Sequence, residues 1–154
     1  MFQKKIIFLF LLLLSSCGYE AIYSKKNAIN YDFSISEIIF VGERYINVKI
    51  KEKLNIYTLT KKNKNFKLKI SSDLKKLTVG KDTSGDPTNF RSIVTVNVEV
   101  FAESSFKENI QLVEIFNYDN DNDKFELKNY ENEIINNLTS IATDRLIFKL
   151  SNTQ

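Results

Sequence analysis

Apolar and polar positions alternate most regularly in Phe90 to Ala102 (FRSIVTVNVEVFA). Val94, Val96, Val98 and Val100 share one face there, and Thr95, Asn97 and Glu99 share the other. A period of two is the signature of a strand with one side buried. Phe66, Leu68 and Ile70, separated by Lys67 and Lys69, repeat the pattern. It slips at Lys75 and Lys76 before Leu77 and Val79 resume it, which predicts a bulge or bend and a change of face. Ile110 to Tyr118 predicts a further strand, and Phe33 to Val41 (FSISEIIFV) predicts one that alternates at first and then becomes continuously apolar. Two stretches follow a different period. Phe125 to Leu150 carries Leu127, Tyr130, Ile134, Leu138 and Ile141 on one stripe, widened by Ile135, Ala142 and Leu146, with Asn, Glu and Lys opposite, so it predicts an amphipathic helix. Glu43 to Leu59 is compatible with both periods. Its length, its lack of Gly and Pro, and an acidic residue at its start favour a helix.

Punctuation divides these elements. Gly42 ends the first strand, and Lys61 to Asn65 is a polar turn. Gly80 to Asn89 (GKDTSGDPTN) holds two glycines and the only proline and predicts a long loop, while Glu103 to Asn109 predicts a turn. The resulting order is strand, helix, three strands, helix. Two helices with one apolar face each must bury it against a sheet. The expected fold is therefore a two-layer α+β domain, a four-stranded, mainly antiparallel sheet covered by two helices.

The N-terminal end follows another logic. Lys4 and Lys5 precede a short apolar run, Ile6 to Leu14, and then Ser15 and Ser16. A basic head, a short apolar body and a small-residue exit make a secretory signal peptide over residues 1–16. The run is too short to span a bilayer, which takes roughly 20 apolar residues. Leu14-Ser15-Ser16-Cys17 resembles the bacterial lipobox. That resemblance implies that Cys17, the only cysteine, receives a diacylglycerol thioether and becomes the N-acylated first residue after cleavage. Two or more acyl chains give stable anchoring where one gives marginal binding. Residues 17–32 then read as a lipidated tether and residues 33–154 as one domain. By the sorting rules of lipoproteins, Gly18 in place of Asp after the cysteine favours the outer membrane.

Charge and chemistry narrow the function. The chain has 22 Lys and Arg against 19 Asp and Glu, and loss of Lys4 and Lys5 with the signal peptide leaves a net charge near +1. No nucleic-acid partner is implied by so small an excess. There is no histidine, no GxSxG elbow and no Walker or dinucleotide-binding glycine pattern. A lone cysteine excludes an internal disulfide and a thiolate zinc site. Asp119 to Asp123 (DNDND) suggests a calcium loop, but Lys124 stands where an EF-hand has Gly and Tyr130 where it has Glu, so a solvated turn is the better reading and no metal is expected. A non-enzymatic role follows, with a periplasm-facing enzyme as the competing class. The remaining cluster is cationic. Lys67, Lys69, Lys75, Lys76, Lys81 and Arg91 flank the Gly-Pro loop, and alternating lysines are most often a solvated strand face. If they converge, Lys75, Lys76, Lys81 and Arg91 are the candidates for binding an anionic lipid headgroup.

Taken together, the chain resembles LptE, the lipopolysaccharide-assembly lipoprotein family. Members begin their mature chain Cys-Gly-aromatic-x-Pro-Leu-Tyr, and Cys17-Gly18-Tyr19-Glu20-Ala21-Ile22-Tyr23 follows that pattern with Ala for Pro and Ile for Leu. Thr88-Asn89-Phe90-Arg91 matches the family's Thr-x-aromatic-Arg entry into the third strand, and the element order agrees over nearly the whole mature chain. The resemblance implies an outer-membrane protein that plugs the β-barrel LptD, helps it assemble and contacts lipopolysaccharide. It implies no cofactor beyond the covalent lipid. An accessory lipoprotein of another outer-membrane barrel machine is the alternative.

Overall fold

The computed structural model describes residues 31–59, 61–103 and 105–153. Cys17, the signal peptide and most of the tether lie outside the described residues. The elements are β1 (Phe33–Gly42), α1 (Arg44–Leu54) with a 3-10 turn (Asn55–Tyr57), β2 (Lys64–Lys81), β3 (Pro87–Ala102), β4 (Ser105–Asp119) and α2 (Lys124–Asn152). The sheet runs in the order β1-β2-β3-β4. β2, β3 and β4 form an antiparallel meander, and β1 joins its edge parallel to β2, with α1 as the crossover that parallel pairing requires. The fold is the expected α+β arrangement of four strands and two helices.

One face of the sheet carries the core. Val94, Val96, Val98 and Val100 on the central strand are flanked by Leu68 and Ile70 on β2 and by Ile110 and Leu112 on β4, all buried. Ile46, Ile50 and Leu54 press the α1 stripe onto the same face. The 3-10 turn closes that end, stacking Tyr57 on Phe33 with ring centroids 4.5 Å apart. The two helices are joined across the layer by polar contacts. Tyr45 donates to Asn136 at 2.8 Å, and Lys53 reaches Ser140 and, at 2.6 Å, Asp144.

Several boundaries differ from the sequence expectation, each for a local reason. β2 is one continuous strand with no bulge at Lys75 and Lys76. Leu74, still inward, pairs with Val94, and Lys76 pairs with Ser92. Leu77 and Val79 therefore lie on the opposite, open face and are half exposed, while the register irregularities come later, around Gly80. The Gly80-to-Asn89 loop shrinks to the turn between Lys81 and Pro87. Asp82 closes that turn by accepting from the Ser84 and Asp86 amides at 2.9 Å, and Gly85 supplies a φ of 90°. The Glu103-to-Asn109 turn is likewise shorter, since β4 already starts at Ser105 and Glu103 takes the positive φ. In β1, a bulge between Ile35 and Glu37 resets the alternation, so Ile38 and Phe40 face inward and Ile39 and Val41 outward. α1 ends at Leu54 rather than running to Leu59. On α2 the buried stripe is Leu127, Ile134, Leu138, Ala142, Leu146 and Leu150; Tyr130 and Ile141, expected inside, are half exposed. Asp123 begins α2 as its N-cap, accepting from the amides of Phe125 and Glu126.

Candidate functional site

The sheet outruns its cover. β1 stops at Gly42, opposite Ser72, whereas β2 continues to Lys81 with β3 and β4 beside it. The distal half is thus a three-stranded sheet whose open face carries a mixed patch. Leu77, Val79, Ile93, Val113 and Ile115 supply its apolar part, and Arg91 lies between Leu77 and Asn117 in register. Period-two alternation in a strand apolar on both sides produces this patch, and the signal for it was the resumption of apolar residues at Leu77 and Val79.

The four candidate cations do not converge on one point. Lys75 lies on the open face, diagonal to Arg91, and sits 3.8 Å from Asp73. Arg91 donates through Nε to Asn117 at 2.8 Å, which leaves its other guanidinium N–H groups for a ligand. Lys81 stands exposed at the end of β2 and forms no ion pair among the described residues. Lys76 faces the other way, toward α2. It pairs with Glu131 and lies over the Phe90 ring, 3.9 Å from its centroid. The proximal lysines of the cluster are also engaged, Lys67 with Glu37 at 3.4 Å and Lys69 with Glu99 at 2.8 Å. These pairs border an open-face groove of about 310 Å³ floored by the Ile39 and Phe101 side chains.

Sequence reading missed the clamp that Lys76 belongs to. Tyr118, on the inner face of β4, donates to the same Glu131 carboxylate at 3.0 Å. Burial pushes the Tyr118 phenol up to about 12; a hydrogen bond with Ser92 works against this, and the Glu131 carboxylate adds to it. Burial also raises Tyr57. The clamp fixes the first turns of α2 onto the distal strands, where the apolar core thins out. The DNDND segment has structural work as well. Asp123 caps α2, Asp121 accepts the Asp123 amide at 2.8 Å, and Asn120 donates to the Pro87 carbonyl at 2.7 Å. Among the described residues, no three His, Cys, Asp or Glu side chains are grouped to hold a metal, and no helix is long and apolar enough to cross a membrane.

This architecture, a one-sided sheet with strand order β1-β2-β3-β4 under two helices, is found in solved lipoproteins. The chain resembles rare lipoprotein B from Shewanella oneidensis with a TM-score of 0.59 at 15% identity, covering 76% of this chain and 95% of that one. It resembles a minor lipoprotein from Acinetobacter baumannii with a TM-score of 0.54 at 12% identity, over 78% and 93% of the two chains. Lipoprotein B from Nitrosomonas europaea gives 0.52 at 14% identity, over 77% and 86%. At these identities the likeness is one of fold. No protein-family model matches the chain, and no curated protein does.

Proposed function

We propose that the chain is an outer-membrane lipoprotein of the LptE kind. It is held by lipid on Cys17 and acts without catalysis as plug and assembly partner of an LptD-type β-barrel that carries lipopolysaccharide to the cell surface. The observation that carries this reading is a conjunction. The lipobox Leu14-Ser15-Ser16-Cys17 precedes a domain whose fold resembles that of solved lipoproteins over most of both chains. The physics agrees with the role. A barrel lumen is polar and water-facing, and the domain presents to solvent a largely polar helix layer and a proximal open sheet face that carries ion pairs. An anchor beside the barrel keeps such a plug at high effective concentration.

The distal open face is the place proposed to meet lipopolysaccharide, because apolar side chains for acyl groups adjoin the cations Lys75, Lys81 and Arg91. Lys76, committed to Glu131, is not among them. Pull-down of the tagged chain from detergent-solubilised membranes tests the partner. Recovery of one large outer-membrane barrel of the LptD type is expected, and recovery of a different machine would overturn the reading. For the lipid contact, Lys81→Glu combined with Arg91→Glu is expected to weaken lipopolysaccharide binding at low salt while leaving the circular dichroism unchanged, since both side chains lie outside the core. Each charge-assisted contact contributes about 1.5–3 kcal/mol when partly desolvated and far less when fully wet. Equal affinity of parent and double variant would remove both residues from the site.

A further inference from the structure

Lys67, Lys69 and Lys75 share the open face with Arg91, and each has a carboxylate partner: Glu37, Glu99 and Asp73. Arg91 has none among the described residues. Its partner is an amide, Asn117 of β4, which accepts from Nε at 2.8 Å. A carboxylate does stand nearby on β4. Asp119 lies opposite Asn89, two residues along from Asn117 on the same face, and Asn89 donates to it. Arg91 therefore keeps its charge uncompensated although it is only partly exposed.

The surroundings strengthen that charge. Leu77 is opposite Arg91 on β2, Ile93 follows it two residues along β3, and Ile115 is opposite Ile93 on β4. Apolar neighbours lower the local dielectric and so increase the attraction for any anion that enters. A guanidinium has five N–H donors in one plane. With the Nε–H given to Asn117, the other four sit on the two Nη atoms, which form a fork that matches two oxygens of one phosphate. An amide acceptor at position 117 fixes the plane of that fork and leaves its charge free. A carboxylate in the same place would make the same bond and close the site as an internal ion pair, as happens at Lys67 and Lys69.

We infer that Asn117 is a positioning residue of the distal face. It holds the Arg91 guanidinium for end-on recognition of a phosphate group whose attached acyl chains lie on Leu77, Ile93 and Ile115. This role rests on the reading of that face as the lipid contact and adds a requirement to it: position 117 must accept a hydrogen bond and carry no charge. It also separates the cations. Lys75, shared with Asp73, and Lys81, at the end of β2, add attraction without direction, whereas Arg91 held by Asn117 reads the headgroup.

Binding of lipopolysaccharide, either intact or enzymatically dephosphorylated, to the full chain in detergent tests this. The parent is expected to bind the intact form more tightly. Asn117→Asp, nearly the same in shape, is expected to weaken binding of the intact form about tenfold or more, as loss of a charge-assisted contact does. It is expected to leave binding of the dephosphorylated form unchanged and not to lower the melting temperature, since the new carboxylate pairs with Arg91 in the fold. Asn117→Ala releases the guanidinium but leaves it charged, so it is expected to lose less, and again only toward the intact form. In an Arg91→Gln background, Asn117→Ala is expected to change nothing further. Full affinity of Asn117→Asp for the intact form, or an equal loss toward both forms, would overturn the positioning role while Arg91→Gln alone still weakened binding. A parent that does not tell the two forms apart, or an Arg91→Gln variant that binds as the parent does, would overturn the reading of the face itself and the role with it.

Discussion

Gly42 shows how one residue can divide the molecule into its two halves. Its φ is 92°, and a Cβ placed there would lie 2.0 Å from the Ser72 carbonyl oxygen. Backbone that close leaves nothing flexible to move aside. The turn it permits lets the Glu43 amide donate to Ser72 at 3.2 Å, and Ser72 in turn bonds Asn47 of α1 at 2.8 Å. Gly42→Ala is expected to destabilise the fold by about 2 kcal/mol or more, from strained backbone and a displaced carbonyl. Urea unfolding reads this as a lower midpoint. Tyr118 makes the second residue-level case. Its pKa in the fold, raised to about 12 from an ordinary value near 10, means that the unfolded chain loses its proton first. The stabilisation is whole below pH 10 and drains away as pH climbs through 12. Tyr118→Phe is expected to flatten the fall in stability between those limits, in part only, because buried Tyr57 titrates high as well. Melting temperatures of parent and variant across the alkaline range check it; parallel curves would show that the phenol does not titrate with unfolding.

Among the elements, β3 and α2 were the most legible in the sequence, because each keeps one period over many residues. The valines at 94, 96, 98 and 100 are buried as their alternation requires. Leu138, on the buried stripe of α2, is 5% exposed. Leu138→Asp is expected to cost about 4 kcal/mol or more, the loss of a buried leucine plus an unpaired charge. An unchanged melting temperature would mean that α2 does not pack on the sheet. What could not be read was the extent of the strands. Leu77 and Val79 looked like a return to the core because apolar residues are assumed to face inward, yet the helices do not cover both sides of β2. Gly80, Gly85 and Pro87 looked like one loop, but Gly80 and Pro87 sit within strand ends, where irregular register and a first-strand position tolerate them. Lys76 could not be separated from its neighbour Lys75 without knowing that Glu131 waits above it. Ion pairs between elements 55 residues apart leave no local trace.

At the scale of the molecule, β1 is the one strand not made by a neighbouring hairpin. β2 meets β3 across the short turn before Pro87, and β3 meets β4 across Glu103, but β1 must pair Phe33 with Lys64 after the whole of α1 has been laid down. Closing that longer loop costs entropy before any contact repays it. The order of assembly follows. The meander is expected to form early and β1 with α1 to dock onto it last, so that for part of its folding the domain presents Phe66, Leu68 and Ile70 beside a vacant edge. During that interval the vacant edge is open to other strands, and the faster β1 docks, the shorter the exposure. Val96→Ala, in the meander, is expected to slow refolding. Ile46→Ala, in α1, is expected to speed unfolding and leave the refolding rate nearly unchanged. Stopped-flow refolding and unfolding rates across a urea series separate the two, and a refolding rate slowed by Ile46→Ala would place the crossover helix in the nucleus instead.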